Sequence, residues 1–301
     1  MISKPNNIAN KGIIFAGCSF TWGQGLYYYS NLETLQEPPP DQFDPSMLRR
    51  SHIKFMEANR YPRMVANHFN TYEYVFYGNG GSNEGAVDYW KRCFIGNPVE
   101  TFDQGRVPIQ NLNHNEVSWV VFQLTQWQRD TFTFSYKNQK NINGEFQKFT
   151  ISFNKTWTTP WNNMWAEHCV FNNIDVDKWM NDFIEHKVLM NVKNFLEDLE
   201  SKGIKTAIFT WPDEFVNYIR KDSWLNDRFI TFDYKNQNFS SIEKLMGEGA
   251  MHSKPPLSPE LTIKWDEENF EVTPKDHHPS LQCHKVMADN VINFIEKRKA
   301  I

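Results

Sequence analysis

GIIFAGCSFTWGQGL, residues 12–26, decides how the rest of the chain is read. The apolar run Ile13-Ile14-Phe15-Ala16 is the length of a buried strand and stops at Gly17. Cys18 and Ser19 follow at once, and Thr21, Gly23 and Gly25 keep the segment small and turn-rich. Two readings are open. Ser19 caps a strand-to-helix turn, or it is a nucleophile held at the carboxyl edge of a sheet. Sites in open α/β sheets gather at that edge, so the chain has to be searched for a sheet and for a base.

Four more runs have the character of residues 13–16: YEYVFYGN (72–79), VSWVVFQL (117–124), KTAIFTW (205–211) and RFITFD (228–233). Each is short, apolar, β-branched or aromatic, and bounded by turn residues. Helical spacing of apolar residues fills the gaps. It predicts helices over 47–69, broken near Pro62, over 83–95, over 177–202 with Gly203 as its stop, and over 281–298 with Ser280 as its N-cap. Strands alternating with helices predict an α/β fold with a mainly parallel five-stranded sheet covered on both faces. Two segments break the alternation. Residues 31–46 form a Pro-rich loop. Residues 131–168 alternate polar with aromatic or β-branched residues, which predicts an inserted β-hairpin or two followed by a Trp-rich loop. No repeat of fixed period is visible, and 1–301 is read as a single domain carrying that insertion.

Composition narrows the function. The 301 residues hold 32 basic and 36 acidic side chains, a net charge of −4, and no basic run, so nucleic acid is not expected as a partner. No stretch reaches membrane-spanning length, and the polar start MISKPNNIANKG has no signal-peptide core, so no membrane partner and a cytoplasmic location are expected, with a phage or virion-associated protein as the other setting. The four cysteines are far apart and the nine histidines show no HxH or HExxH spacing. No metal and no cofactor are expected. Oligomeric state is left open.

A serine hydroxyl is a weak nucleophile until a base takes its proton, usually a histidine held in one tautomer by a carboxylate. The stretch KDHHPSLQCHKVMADNVINFI (275–295) offers both groups. Asp276 and His278 are two apart, so they project to the same side of an extended segment, and Pro279 favours extended backbone at His278. His277 reads as a solvent-facing neighbour and His284 as a structural residue of the last helix.

Three blocks, in order along the chain, resemble the SGNH/GDSL hydrolase superfamily: Gly17-Cys18-Ser19-Phe20-Thr21-x-Gly23, NGGSN at 79–83, and DHHPS at 276–280. The resemblance implies a flavodoxin-like, three-layer α/β/α sandwich and ester hydrolysis through an acyl-enzyme. It implies Ser19 as nucleophile, His278 as base and Asp276 as the carboxylate that orients it. The oxyanion hole would use the backbone N–H of Ser19 and of Gly80, with Gly81 as the rival alignment, and Asn83 would support that loop.

The chain departs from the family in three places. Cys18 stands where the family has Asp, a residue that is not the nucleophile. The acid lies two rather than three residues before the histidine, where Lys275 stands. The Gly-x-Asn-Asp block is replaced by QLTQWQR (123–129), so Thr125 falls where the oxyanion-supporting Asn would be, with Gln123 and Gln126 as rivals. Loss of such a donor lowers the rate on the order of 10²–10³.

Substrate contacts are expected from Asn83, Gln126 and Arg129. Arg129 would either clamp a substrate carboxylate or support its loop. Asp213 and Glu214 read as the start of a helix. In the insertion, Trp157, Trp161 and Trp165 either form a small core of their own or present rings that stack on a sugar, with Asn162, Asn163 and Gln126 reaching its hydroxyls. The expected function is that of a serine esterase acting on an acyl, above all an acetyl, ester of a small molecule or a carbohydrate. Two alternatives stand beside it: a weak or inactive structural or binding protein on this fold, such as a phage or particle component, and a sugar O-acyltransferase.

Overall fold

The computed structural model describes residues 11–23, 26, 50–75, 81–96, 112–140, 143–152, 160–247, 265–266, 271–272 and 278–299. Strand β1 (Gly12–Ala16) is buried throughout. It lies parallel between β2 (Glu73–Val75) and β3 (Val117–Leu124). Two antiparallel strands, β4 (Phe132–Lys140) and β5 (Phe146–Ile151), form a separate hairpin. Strand β6 (Lys205–Thr210) returns to the sheet, parallel to β3, which gives the order β2-β1-β3-β6. That is the strand order of the first four strands of a flavodoxin-like sheet.

Successive side chains of a strand face opposite sides, and the two cores follow that rule. Ile14, Ala16, Val120 and Phe122 face one side, against α4 (Asn83–Phe94) and the helical run 176–201. Ile13, Phe15, Val121 and Phe209 face the other, against α3 (Tyr61–His68) and the C-terminal helix Leu281–Lys299. The sheet is a buried middle layer.

Several boundaries differ from expectation for visible reasons. The helical region 47–69 is described from residue 50, as α2 (Arg50–Asn59) and α3. The break lies at Arg60, whose backbone is extended (φ −77°, ψ 149°), and Pro62 sits in the first turn of α3, where its missing N–H removes no helical bond. The expected strand 72–79 is described only as Glu73–Val75, and 76–80 lie outside the described residues. The expected fifth strand is a single parallel bridge, Ile208 to Phe229. The reason is the turn that follows it. Lys235 and Asn236 both adopt left-handed backbone (φ +48° and +63°), the geometry of a two-residue type I′ turn. They pair β7 (Phe232–Tyr234) with β8 (Gln237–Phe239) as an antiparallel hairpin rather than with β6.

The insertion is a hairpin, as expected, but its second half is helical. Helix α5 (Pro160–Phe171) replaces the expected loop over its described part. Phe132, Phe134 and Tyr136 alternate along β4 and are buried with Ile151 and Trp165. The run 176–201 consists of α6 (Val176–Asp182), a π-helical stretch (Phe183–Leu189) and α7 (Met190–Ser201). Gly203 closes it at φ +80°. Three short helices, α8 (Val216–Lys221), α9 (Ser223–Asp227) and α10 (Ile242–Met246), precede the last helix, α11 (Leu281–Lys299). Ser280 caps α11 through its hydroxyl, which accepts from the Cys283 N–H at 3.2 Å. Among the described residues, no helix is long and apolar enough to cross a membrane.

Candidate active site

Ser19 opens α1 (Ser19–Trp22), a single helical turn set directly on the carboxyl end of β1. Gly17 makes that approach possible. A Cβ there would lie 2.2 Å from Thr21 Oγ1 and 2.9 Å from Gln123 Cβ. Beneath the turn runs a buried polar chain. Thr21 donates to Gln123 Oε1 at 2.5 Å, and Gln123 Nε2 donates to Cys18 Sγ at 3.3 Å. The Thr21 hydroxyl has one proton, so the 3.2 Å contact with Tyr61 is donated by the tyrosine. Cys18, in the place of the family's Asp, is fully buried and has an amide donor.

His278 stands over the same turn. Its ring lies 5.2 Å from the ring of Phe20, the residue after Ser19. Phe20 in turn packs at 4.4 Å on Trp211, which follows β6. The guanidinium of Arg129 lies 5.2 Å over Trp211, and Arg129 donates to Thr125 Oγ1 at 3.1 Å. The ends of β1, β6 and β3 and the segment before α11 are thereby joined on one edge of the sheet. Ser82, Asn83 and the start of α4, which follow β2, join them through Thr125.

Asn83 and Thr125 pair like two peptides: the Thr125 N–H donates to Asn83 Oδ1 at 2.8 Å, and Asn83 Nδ2 donates to the Thr125 carbonyl at 3.0 Å. The amide of Thr125 is therefore taken.

No family model matches the chain, and none of the curated proteins searched does. Among solved structures it is similar to an acetyl xylan esterase from the rumen bacterium Butyrivibrio proteoclasticus, at 13% identity and TM-score 0.45, over 98% of this chain and 66% of that one. It is also similar to a carbohydrate esterase described as having divergent catalytic and non-catalytic binding functions, at 12% identity and TM-score 0.44, over 95% and 68%. A third is a candidate lipolytic protein of the G-D-S-L family from Desulfitobacterium hafniense DCB-2, at 12% identity and TM-score 0.37, over 95% and 99%. The chain thus spans about two thirds of the first two. What decides the fold is its own parallel strand order, β2-β1-β3-β6, with helices on both faces. The fold is a flavodoxin-like α/β/α sandwich.

On this frame the remaining expected residues divide. Gly80, Asp276 and Trp157 lie outside the described residues. Trp161 falls in α5, one turn before Trp165. Gln126 is half-buried at the start of the turn 127–129. Arg129 donates to Thr125 Oγ1, a contact that fits the loop-supporting reading. Gln123 is enclosed and spent on Thr21 and Cys18. Trp165 is 6% exposed and packs at 4.8 Å on Phe132 and 4.7 Å on Trp179. Phe132 also meets Phe183, so the insertion's described aromatics build a core against α6 and the π-helical stretch. Asp213 and Glu214 start a short turn before α8, and Asp213 accepts from Ser240 at 2.9 Å.

Sequence reasoning missed two groups. Asp130, 2% exposed, accepts from Asn83 Nδ2 and from the Glu84 N–H, both at 2.7 Å. Burial pushes its carboxyl up to about 6. The only trace in the sequence is an acid placed directly after the strand-end turn. The other is Trp211, the platform between Phe20 and Arg129, readable only as a strand-end aromatic.

Proposed function

We propose that the chain is a serine esterase of the SGNH/GDSL type that cleaves an acyl ester, above all an acetyl ester carried on a carbohydrate. The observation that carries this reading is the 5.2 Å approach of the His278 ring to Phe20. It brings the candidate base to the turn that bears the candidate nucleophile. In the reaction, Ser19 Oγ attacks the ester carbonyl while His278 takes its proton. His278 then returns the proton to the leaving alcohol, and Asp276 holds the imidazole. The N–H groups of Ser19 and Gly80 and the hydroxyl of Thr125 face the oxyanion. Water, activated by His278, releases the acid. Trp157 and Trp161 give the carbohydrate part of the reading its support, with Asn162 and Asn163 beside them. The reading treats the chain as one such domain with 131–168 as its insertion, in a cytoplasmic setting where its four buried free thiols persist.

One observation favours a different reading. Thr125 stands where the resemblance expects an Asn side-chain donor, and its N–H is held by Asn83, so its hydroxyl is the one group it can offer. A site with so small a substitute suits a binding protein on this fold. A fluorophosphonate probe separates the two. Labelling of the wild type, absent in Ser19→Ala, is the expected result. A folded wild type that takes no label overturns the esterase reading. Turnover of p-nitrophenyl acetate with and without a sugar acceptor then distinguishes hydrolase from acyltransferase.

A further inference from the structure

Asp130 lies in none of the three sequence blocks, yet it is the anchor of the loop that borders the candidate oxyanion site. Its two carboxylate oxygens each take one donor: Oδ2 the Asn83 side-chain amide, Oδ1 the Glu84 backbone, both at 2.7 Å. Asn83 can meet that carboxylate only with its NH₂ turned toward it. In that orientation its Oδ1 is the acceptor for the Thr125 N–H, and the NH₂ also reaches the Thr125 carbonyl. The carboxylate therefore selects one of the two flips of Asn83. The other flip would set an oxygen against an anion and an NH₂ against the Thr125 donor.

We propose, on the esterase reading above, that Asp130 is a positioning residue whose ionised carboxylate locks Asn83, and through it the Thr125 peptide, on the oxyanion side of the site. An uncharged residue cannot do this equally well. A proton or an amide NH₂ on Oδ2 would face the Asn83 NH₂ and on Oδ1 the Glu84 N–H, so one of the two bonds is weakened or lost. In the first case Asn83 loses its anchor directly; in the second the start of α4 that carries it does.

The surroundings make this lock responsive to pH. Burial is the main force raising the Asp130 carboxyl to about 6, with the Glu84 carboxylate adding to it. The Glu84 N–H, the Asn83 amide and the Lys187 ammonium act the other way. Asp130 also lines a cavity of about 740 Å³, whose other charged or titratable groups are Glu84, Asp88, Lys91, Arg92, His186 and Lys187. Arg129 approaches from the opposite side of Thr125.

The test follows the Thr125 backbone amide and the Asn83 side-chain amide by NMR in isotope-labelled protein, from about pH 4 to about pH 8. Both are expected to shift together with a midpoint near that of Asp130, and both shifts are expected to vanish in Asp130→Asn. Turnover of p-nitrophenyl acetate by Asp130→Asn is expected to fall about 10–100-fold in kcat, the scale of a small misplacement of the reacting groups. KM is expected to stay within about two-fold, and Asp130→Glu to recover part of the loss. A Thr125 amide in the wild type that ignores this titration overturns the proposal. So does a folded Asp130→Asn with unchanged kcat. If the esterase reading itself fails, the wild type shows neither turnover nor Ser19 labelling, and the NMR coupling is still read on the unmodified protein.

Discussion

The backbone N–H of Tyr61 donates to His284 Nδ1 at 3.2 Å, across 223 residues of sequence. This bond joins the start of α3 to the first turn of α11 and fixes the tautomer, with the proton on Nε2. The ring is wholly buried, stacked on Tyr61 with centroids 6.1 Å apart. Burial, with His278 and Arg60 nearby, pushes its pKa down to about 3 from the ordinary 6.5.

A histidine kept neutral in the fold must gain a proton when the chain unfolds in acid. Between about pH 6.5 and pH 3 the unfolded chain holds one more proton there than the native state, so stability falls as pH falls. The effect is on the order of a few kcal/mol over that window. Urea melts at a series of pH values should show this slope in the wild type and lose it in His284→Gln. An unchanged slope in the variant would show that His284 is not the group that titrates.

Asp130 tilts stability the other way. Its carboxyl is raised to about 6 from 3.8, so between those values the native state holds the extra proton. Its contribution is fully present below about pH 4 and is lost as pH rises through about 6, again on the order of a few kcal/mol. The two slopes oppose each other over that interval. Asp130→Asn should therefore expose a steeper loss of stability toward acid than the wild type shows. The same melts check it, and a shallower slope in the variant counts against a raised carboxyl.

Gly17→Ala should disturb the turn that carries Ser19. Its new methyl would stand 2.2 Å from Thr21 Oγ1 and 2.9 Å from Gln123 Cβ, and Thr21 is already held by Gln123 and Tyr61. Overpacking of this kind costs about 1–3 kcal/mol. We expect a lower melting temperature together with slower fluorophosphonate labelling. A variant matching the wild type in both would mean that the turn adapts freely.

The sheet was legible because its strands state their burial directly. VSWVVFQL matches β3 at both ends, since a run with six apolar residues in eight and both faces covered admits little else. RFITFD carries the same signal, but an apolar run reports burial and not the partner. The two-residue turn at Lys235 and Asn236 chose the hairpin over the sheet. The block 17–23 after β1 and the block before α11 are local patterns, visible in the sequence by themselves. Asp130 was not, because its role exists only through Asn83, 47 residues earlier. The same limit applies to Trp165, whose aromatic neighbours come from two other elements, β4 and α6.

That packing sets up a contrast within one helix. Trp165 is enclosed by Phe132, Phe134 and Trp179, so Trp165→Ala should lower stability by about 3–5 kcal/mol, as large-to-small changes of buried aromatics do. Any loss of turnover it causes should be the same for p-nitrophenyl acetate and for an acetylated oligosaccharide. Trp161 lies one turn earlier on α5, and the carbohydrate reading gives it a surface for a sugar ring. Trp161→Ala should then leave the melting temperature near that of the wild type and spare the small ester. Turnover of the acetylated oligosaccharide should fall, mainly through KM, because a stacking platform binds ground state and transition state alike. Equal losses on both substrates in Trp161→Ala, with a drop in melting temperature like that of Trp165→Ala, would assign this tryptophan to packing as well. The carbohydrate part of the reading would then rest on Trp157 alone.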